Sequence, residues 1–267
     1  MDYKAERKII KGKLIFDSGL HIGSGDAGDW GDSTIIKTKE GKPFIPGTTI
    51  AGMFRQLAED NFPEQEVEAL FGYVKKIDES TQSLASRLIF CDAFSSNEIS
   101  PGYRNGVGIR RDRLTARDKA LFSLETVEKP IFDFKLIIDN PQDDDMKMLE
   151  PILAEFQSGR VAIGGDKSRG LGWLKLSCLE SAEVTTENLD DFVSYLLDEK
   201  ITFQGLEINK VKTDGTGSYI EIEYVLTLED EDASLIVSSG IPGDADQTLM
   251  RDKDKDEGGK FFIPGSS

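Results

Sequence analysis

One phrase occurs twice in this chain, and its spacing limits what the chain can fold into. Gly41-Lys-Pro-Phe-Ile-Pro-Gly-Thr-Thr49 returns as Gly259-Lys-Phe-Phe-Ile-Pro-Gly-Ser-Ser267. The flanking text repeats in the same order. Leu20-His-Ile-Gly-Ser-Gly25 is matched by Leu235-Ile-Val-Ser-Ser-Gly240, and Asp32-Ser-Thr-Ile-Ile-Lys37 by Asp246-Gln-Thr-Leu-Met-Arg251. Pro46 and Pro264 are 218 residues apart. Solenoid repeats run only about 20–50 residues, so this period is that of a domain used twice. The second copy reaches as far as the first copy's helix. The sequence therefore predicts one whole domain followed by the opening of another.

Apolar periodicity supplies the elements of the first domain. Residues 7–16 read as a strand. Pro46-Gly47 stops an extended segment, and Thr48 is placed to cap a helix through its hydroxyl. Ile50, Phe54, Leu57 and Ala58 then recur at helical spacing. Residues 86–94 read as a buried strand, and Ile131–Ile138 alternates as another. Asp143–Phe156 reads as a helix, with Met146, Leu149, Leu153 and Phe156 on one side. Val161–Gly165 and Leu171–Leu176 close the domain as strands. The order is strand, helix, strand, strand, helix, strand, the α+β ferredoxin-like arrangement that RNA-recognition modules also use. A connecting helix is predicted over 186–197, with strands over 201–212 and 217–228 opening the second unit.

Charge is uneven. The chain carries −17 overall, but residues 179–267 hold 7 Lys+Arg against 21 Asp+Glu. So acidic a chain does not bind nucleic acid without a local basic face. Apolar runs reach about six residues, too short for a membrane-spanning helix of about 20. Met1–Lys8 is too polar for a signal peptide. Cys91 and Cys178 are too few and too far apart for a disulfide framework or a zinc knuckle. A reducing cytoplasm fits best.

Three stretches carry candidate chemistry. Gly23-Ser-Gly-Asp-Ala-Gly-Asp-Trp-Gly-Asp32 places Asp26, Asp29 and Asp32 among glycines that allow close approach to a ligand. Hard oxygen donors suit magnesium or manganese, and one carboxylate could deprotonate a hydroxyl. A solvated turn has the same composition. Gly164-Gly-Asp-Lys-Ser-Arg-Gly-Leu-Gly172 surrounds Lys167, Ser168 and Arg169 with glycines, which suits phosphate; a bulged surface hairpin is the alternative. The third stretch is polar and glycine-bearing, over about 101–129. It holds Arg104, Arg110, Arg111, Arg113, Arg117 and Lys119, and it reads as an excursion that could follow a phosphate backbone or simply meet solvent. His21, the only histidine, has no Ser or Cys partner motif and reads as structural or supporting.

Taken in order, these motifs resemble a known family. Leu20–Gly25, Gly31–Lys37, Phe44–Arg55, Arg87–Phe94, Ile109–Ala116 and Gly164–Trp173 are similar to the RAMP-superfamily backbone subunits of type III CRISPR effector complexes. The resemblance covers about 8–178 and resumes over about 217–267. It implies a first RAMP backbone domain at 1–178 with a thumb at about 101–129. A linker at 179–212 and an incomplete second RAMP unit at 213–267 would follow, as in a fused protein. It implies partners: CRISPR RNA, target RNA and other RAMP-type Cas subunits, in the cytoplasm and without a membrane.

The resemblance also assigns roles. Asp32 sits where the family's catalytic, metal-binding aspartate is expected, with a divalent metal, Mg or Mn, as cofactor. Asp246 is its counterpart in the second copy. Thr48, Thr49, Arg55, Lys167, Ser168 and Arg169 would contact guide RNA, and Arg110, Arg111 and Arg113 belong to the thumb. The chain departs from the family pattern with Thr48-Thr49 and Ala51-Gly52 in place of two serines and Lys-Gly, which removes one cation near the guide. The expected activity is target-RNA cleavage by attack of a 2′-hydroxyl. The alternative is a noncatalytic guide-binding scaffold.

Overall fold

The computed structural model describes residues 6–25, 33–77, 80–99, 101–110, 116–197, 201–208, 237–239 and 247–249. The chain divides into two units, Met1–Lys167 with Leu171–Val211, and Ser168–Gly170 with Lys212–Ser267. The first unit begins with β1 (Glu6–Phe16), β2 (Phe44–Ile45), α1 (Gly47–Asn61) and α2 (Glu64–Phe71). A short hairpin, β3 (Tyr73–Ile77) and β4 (Ser80–Leu84), precedes β5 (Leu88–Phe90) and β6 (Ala93–Phe94). A longer hairpin follows, β7 (Pro101–Ile109) and β8 (Ala116–Val127), then β9 (Ile131–Asp139) and α3 (Asp145–Ser158). The unit closes with β10 (Val161–Ala162), β11 (Trp173–Thr185), α4 (Leu189–Leu196) and β12 (Gln204–Gly205). In the second unit β13 (Val237–Ser239) pairs antiparallel with β14 (Gln247–Leu249).

The fold is mixed α+β around one antiparallel sheet in the order β10-β11-β1-β9-β5, with β12 on the side of β11. The central strand β1 alternates as its sequence demands. Ile10, Leu14 and Phe16 point into the core beneath α1 and α3. Opposite Gly12 β11 bulges by one residue at Cys178–Leu179 and the register shifts, and a Cβ on Gly12 would lie 2.9 Å from the Ser177 carbonyl oxygen. Phe54 of α1 stacks on Phe156 of α3 at 4.6 Å and on Phe134 of β9 at 5.8 Å. Each such side chain contributes about 1.5–3 kcal/mol by leaving water. Arg87 and the buried Asp145 form a bidentate pair, both contacts 2.6 Å, tying β5 to the start of α3.

The sheet's other face is partly covered. Ile9, Ile137 and Val184 pack under Phe192 and Tyr195 of α4, together with Ile201 and Phe203. The helix read as a connector over 186–197 thus packs on the first unit's sheet.

The structure corrects several expectations. α1 begins at Gly47 after Pro46 as N-cap, so Thr48 lies inside the helix and makes no cap bond. Asp92 supplies the acceptor instead, its Oδ1 2.7 Å from the Gly47 nitrogen. The single strand expected over 86–94 is two, because the chain leaves β9 at Asp92 and pairs β6 with β2. Residues 62–85, unassigned from sequence, form α2 and the β3–β4 hairpin. Of the strand expected at 201–212, Gln204–Gly205 pairs with β11 and is the only strand among the described residues 201–208; 209–212 lie outside the described residues. The strand expected over 217–228 lies outside the described residues. Among the described residues no helix is long and apolar enough to cross a membrane.

Candidate nucleic-acid interface

The glycine-rich first loop has a closed base. Ser24 N–H donates to the Thr34 carbonyl at 2.9 Å, and Ile36 N–H donates to the Ile22 carbonyl at 2.8 Å. The Ser24 and Thr34 hydroxyls meet at 2.8 Å. The two arms of the loop are therefore zipped together before the aspartate-bearing segment.

His21 lies at this base and is only 5% exposed. Its Nδ1 lies 2.7 Å from the Glu125 carbonyl oxygen on β8, and its Nε2 is 3.2 Å from the Ser33 hydroxyl. Its own carbonyl accepts from Gly165 N–H at 2.8 Å. Gly164 adopts φ +91°, and a Cβ there would stand 2.4 Å from the His21 oxygen. Only glycine permits that approach. Further bonds continue the seam, from Gly172 N–H to the Gly19 carbonyl at 2.8 Å and between Leu20 and Val127 in both directions. Three segments from distant parts of the chain thus meet at one buried histidine: the loop arm, the hairpin stem and the start of the second glycine loop.

Glu125 completes the junction with every polar group it has. Its N–H donates to the Ser33 carbonyl at 3.0 Å. Its carboxylate accepts from Ile35 N–H at 2.9 Å and from the Lys37 ammonium at 2.5 Å. The carboxylate is 2% exposed, and a buried charge persists only when it is paired and hydrogen-bonded in this way. At the hairpin base Arg104 pairs with Glu128 at 2.9 Å, and both lie against Gly19, where a Cβ would meet them at 2.9 Å.

The residues singled out from sequence fall in several places. Thr48 is exposed and Thr49 half-buried in the first turn of α1. Arg55, two turns on, is engaged within the protein: Nε donates to Glu59 at 2.7 Å and a terminal nitrogen donates to the Gly72 carbonyl at 3.0 Å. Lys167, Ser168 and Arg169 form one exposed 3-10 turn. Arg110 is exposed just past β7. Asp26, Asp29, Asp32, Arg111, Arg113 and Asp246 lie outside the described residues.

Sequence reasoning missed Glu125 and Asp92. Glu125 left a trace, an acid in the run Leu124–Val127, which is otherwise free of charge. Among the described residues no three His, Cys, Asp or Glu side chains group to hold a metal ion. The oxygens of Glu125 and both nitrogens of His21 are engaged within the protein.

The family described as the RAMP superfamily matches residues 13–175 and takes in every segment that meets at His21. Comparison with curated proteins returns no match. A match over more than half of its length shows that this chain belongs to the RAMP superfamily.

Proposed function

We propose that this chain is a CRISPR RNA-binding backbone subunit of a type III effector complex that cleaves complementary target RNA from its first loop. Superfamily membership suggests a CRISPR-associated RNA-binding function. The observation that carries the finer reading is the junction at His21, where the aspartate loop's base, the arginine-bearing hairpin and the second glycine loop are bonded together. A guide, a target and a cleaving carboxylate need such fixed mutual placement. The sheet order β11-β1-β9-β5, with α1 and α3 in one core, supports the ferredoxin-like reading. The repeated phrase supports a second unit of the same kind over 213–267, with Asp246 as its candidate catalytic residue. Other RAMP-type subunits are the protein partners, in the cytoplasm.

In this reading Thr48, Thr49 and the Lys167–Arg169 turn hold guide phosphates, and the hairpin separates target bases. Asp32 receives the proton of the 2′-hydroxyl beside the scissile phosphate. The freed oxygen attacks phosphorus in line, the bond to the 5′-oxygen breaks, and that oxygen takes a proton from solvent water. The products are a 2′,3′-cyclic phosphate and a 5′-hydroxyl. Asp26, Asp29 and Asp32 are hard oxygen donors suited to Mg or Mn, which when bound neutralises charge developing on the phosphate.

The test is guide binding by Arg169→Glu over a salt series. Weaker binding with a flatter salt dependence, the fold intact, supports the reading. Unchanged affinity and slope would remove the turn from the interface.

A further inference from the structure

Every second residue on the return arm of the first loop bonds to Glu125 on the hairpin stem. The Ser33 carbonyl accepts from Glu125 N–H at 3.0 Å. Ile35 N–H donates to Glu125 Oε2 at 2.9 Å, and the Lys37 ammonium donates to Oε1 at 2.5 Å. Ser33 is fixed further, its N–H donating to the Ser123 carbonyl at 3.4 Å and its hydroxyl meeting His21 Nε2 at 3.2 Å. In sequence, Ser33 is the residue that directly follows Asp32.

These bonds are not what closes the loop. Its arms are already joined to each other by the Ser24–Thr34 and Ile36–Ile22 bonds. What Glu125 adds is placement against β8, the strand that comes down from the arginine-bearing hairpin. Leu124, Thr126 and Val127 around it are buried, so the stem is packed into the domain and moves only with it. A carboxylate 2% exposed is costly to keep. An apolar residue would fill the same space at less cost. It would also leave Ile35 N–H without an acceptor and release the return arm from the hairpin. In the proposed reaction the hairpin decides which phosphate is presented, and Asp32 acts on it. The two work together only if their separation is held.

We propose that Glu125 is a positioning residue for that cleavage: by holding Ser33, Ile35 and Lys37 to the hairpin stem, it sets the aspartate loop to one phosphate. This rests on the cleavage reading above and adds the residue that fixes its register.

The test uses the assembled complex with saturating, end-labelled complementary RNA. Single-turnover rate and cut position at nucleotide resolution are read together, beside target affinity. Glu125→Leu should keep the wild-type affinity, cut about 10- to 100-fold more slowly at the positions facing this unit, and spread its cuts to neighbouring phosphates. Glu125→Gln keeps an oxygen for Ile35 N–H and should restore the cut position and most of the rate. Should Glu125→Leu fail to assemble, Lys37→Met decides, since it takes only the ammonium from the clamp at a partly exposed site. It should lose about three- to ten-fold in rate and scatter its cuts in the same way. Wild-type rate and cut position from the deciding variant overturn the positioning role alone. A rate that falls only in step with target affinity, with cut position unchanged, makes Glu125 a structural residue and contradicts the proposal. Wild-type complex that leaves target RNA whole overturns the cleavage reading and the proposal with it.

Discussion

The Nδ1 atom of His21 lies 2.7 Å from the carbonyl oxygen of Glu125, 104 residues along the chain. A carbonyl only accepts, so Nδ1 carries the hydrogen and Nε2 faces the Ser33 hydroxyl. One imidazole therefore spans the hairpin stem and the return arm of the aspartate loop.

His21→Phe keeps the volume and removes both bonds, leaving a buried carbonyl without its donor. Stability should fall by about 1–3 kcal/mol, read as a shift in the urea midpoint. An unchanged midpoint would mean that the imidazole contributes packing alone.

Two glycines should respond in opposite directions. Gly164→Ala places a Cβ at φ +91° against a backbone oxygen 2.4 Å away. Neither can yield cheaply, so a loss of more than about 1 kcal/mol is expected. Gly52 lies exposed within α1, and a Cβ there meets nothing within 4 Å. Gly52→Ala should raise stability by about 0.5–1 kcal/mol through helix propensity. Thermal melts of the two variants side by side check both signs.

The start of α1 depends on a distant carboxylate. Asp92→Ala removes the acceptor 2.7 Å from Gly47 N–H and should destabilise by about 1 kcal/mol. Thr48→Ala removes a hydroxyl that makes no cap bond and should change stability by less than about 0.5 kcal/mol. The reverse ranking in denaturant melts would restore Thr48 as the cap.

The elements that sequence located are those whose apolar period runs unbroken. β1, β9, α1 and α3 each alternate or recur for two turns or more, and each lies close to its expected place. α2 escaped notice because Glu64, Glu66 and Glu68 outnumber the apolar residues in its first five positions. Every residue of β4 is exposed, so that strand has no buried face to betray it. Within the candidate site, the glycine loops and the arginine-dense hairpin stand out by composition. What brings them together does not, because Glu125 acts on residues about 90 positions earlier and Asp92 on Gly47. Such bonds are set by register between strands, which no local window contains.

Whether the proposed cleavage by Asp32 occurs is measured most directly on a denaturing gel of end-labelled target RNA. The complex is assembled with wild-type or Asp32→Ala chain and supplied with magnesium or manganese, with chelator as control. The variant should bind guide and complementary target as the wild type does, and the products cut at positions facing this unit should vanish. Cuts made by other units should persist, and chelator should abolish every product. A full ladder from the Asp32→Ala complex would contradict the account, place the nuclease elsewhere and leave this chain as a guide-binding scaffold.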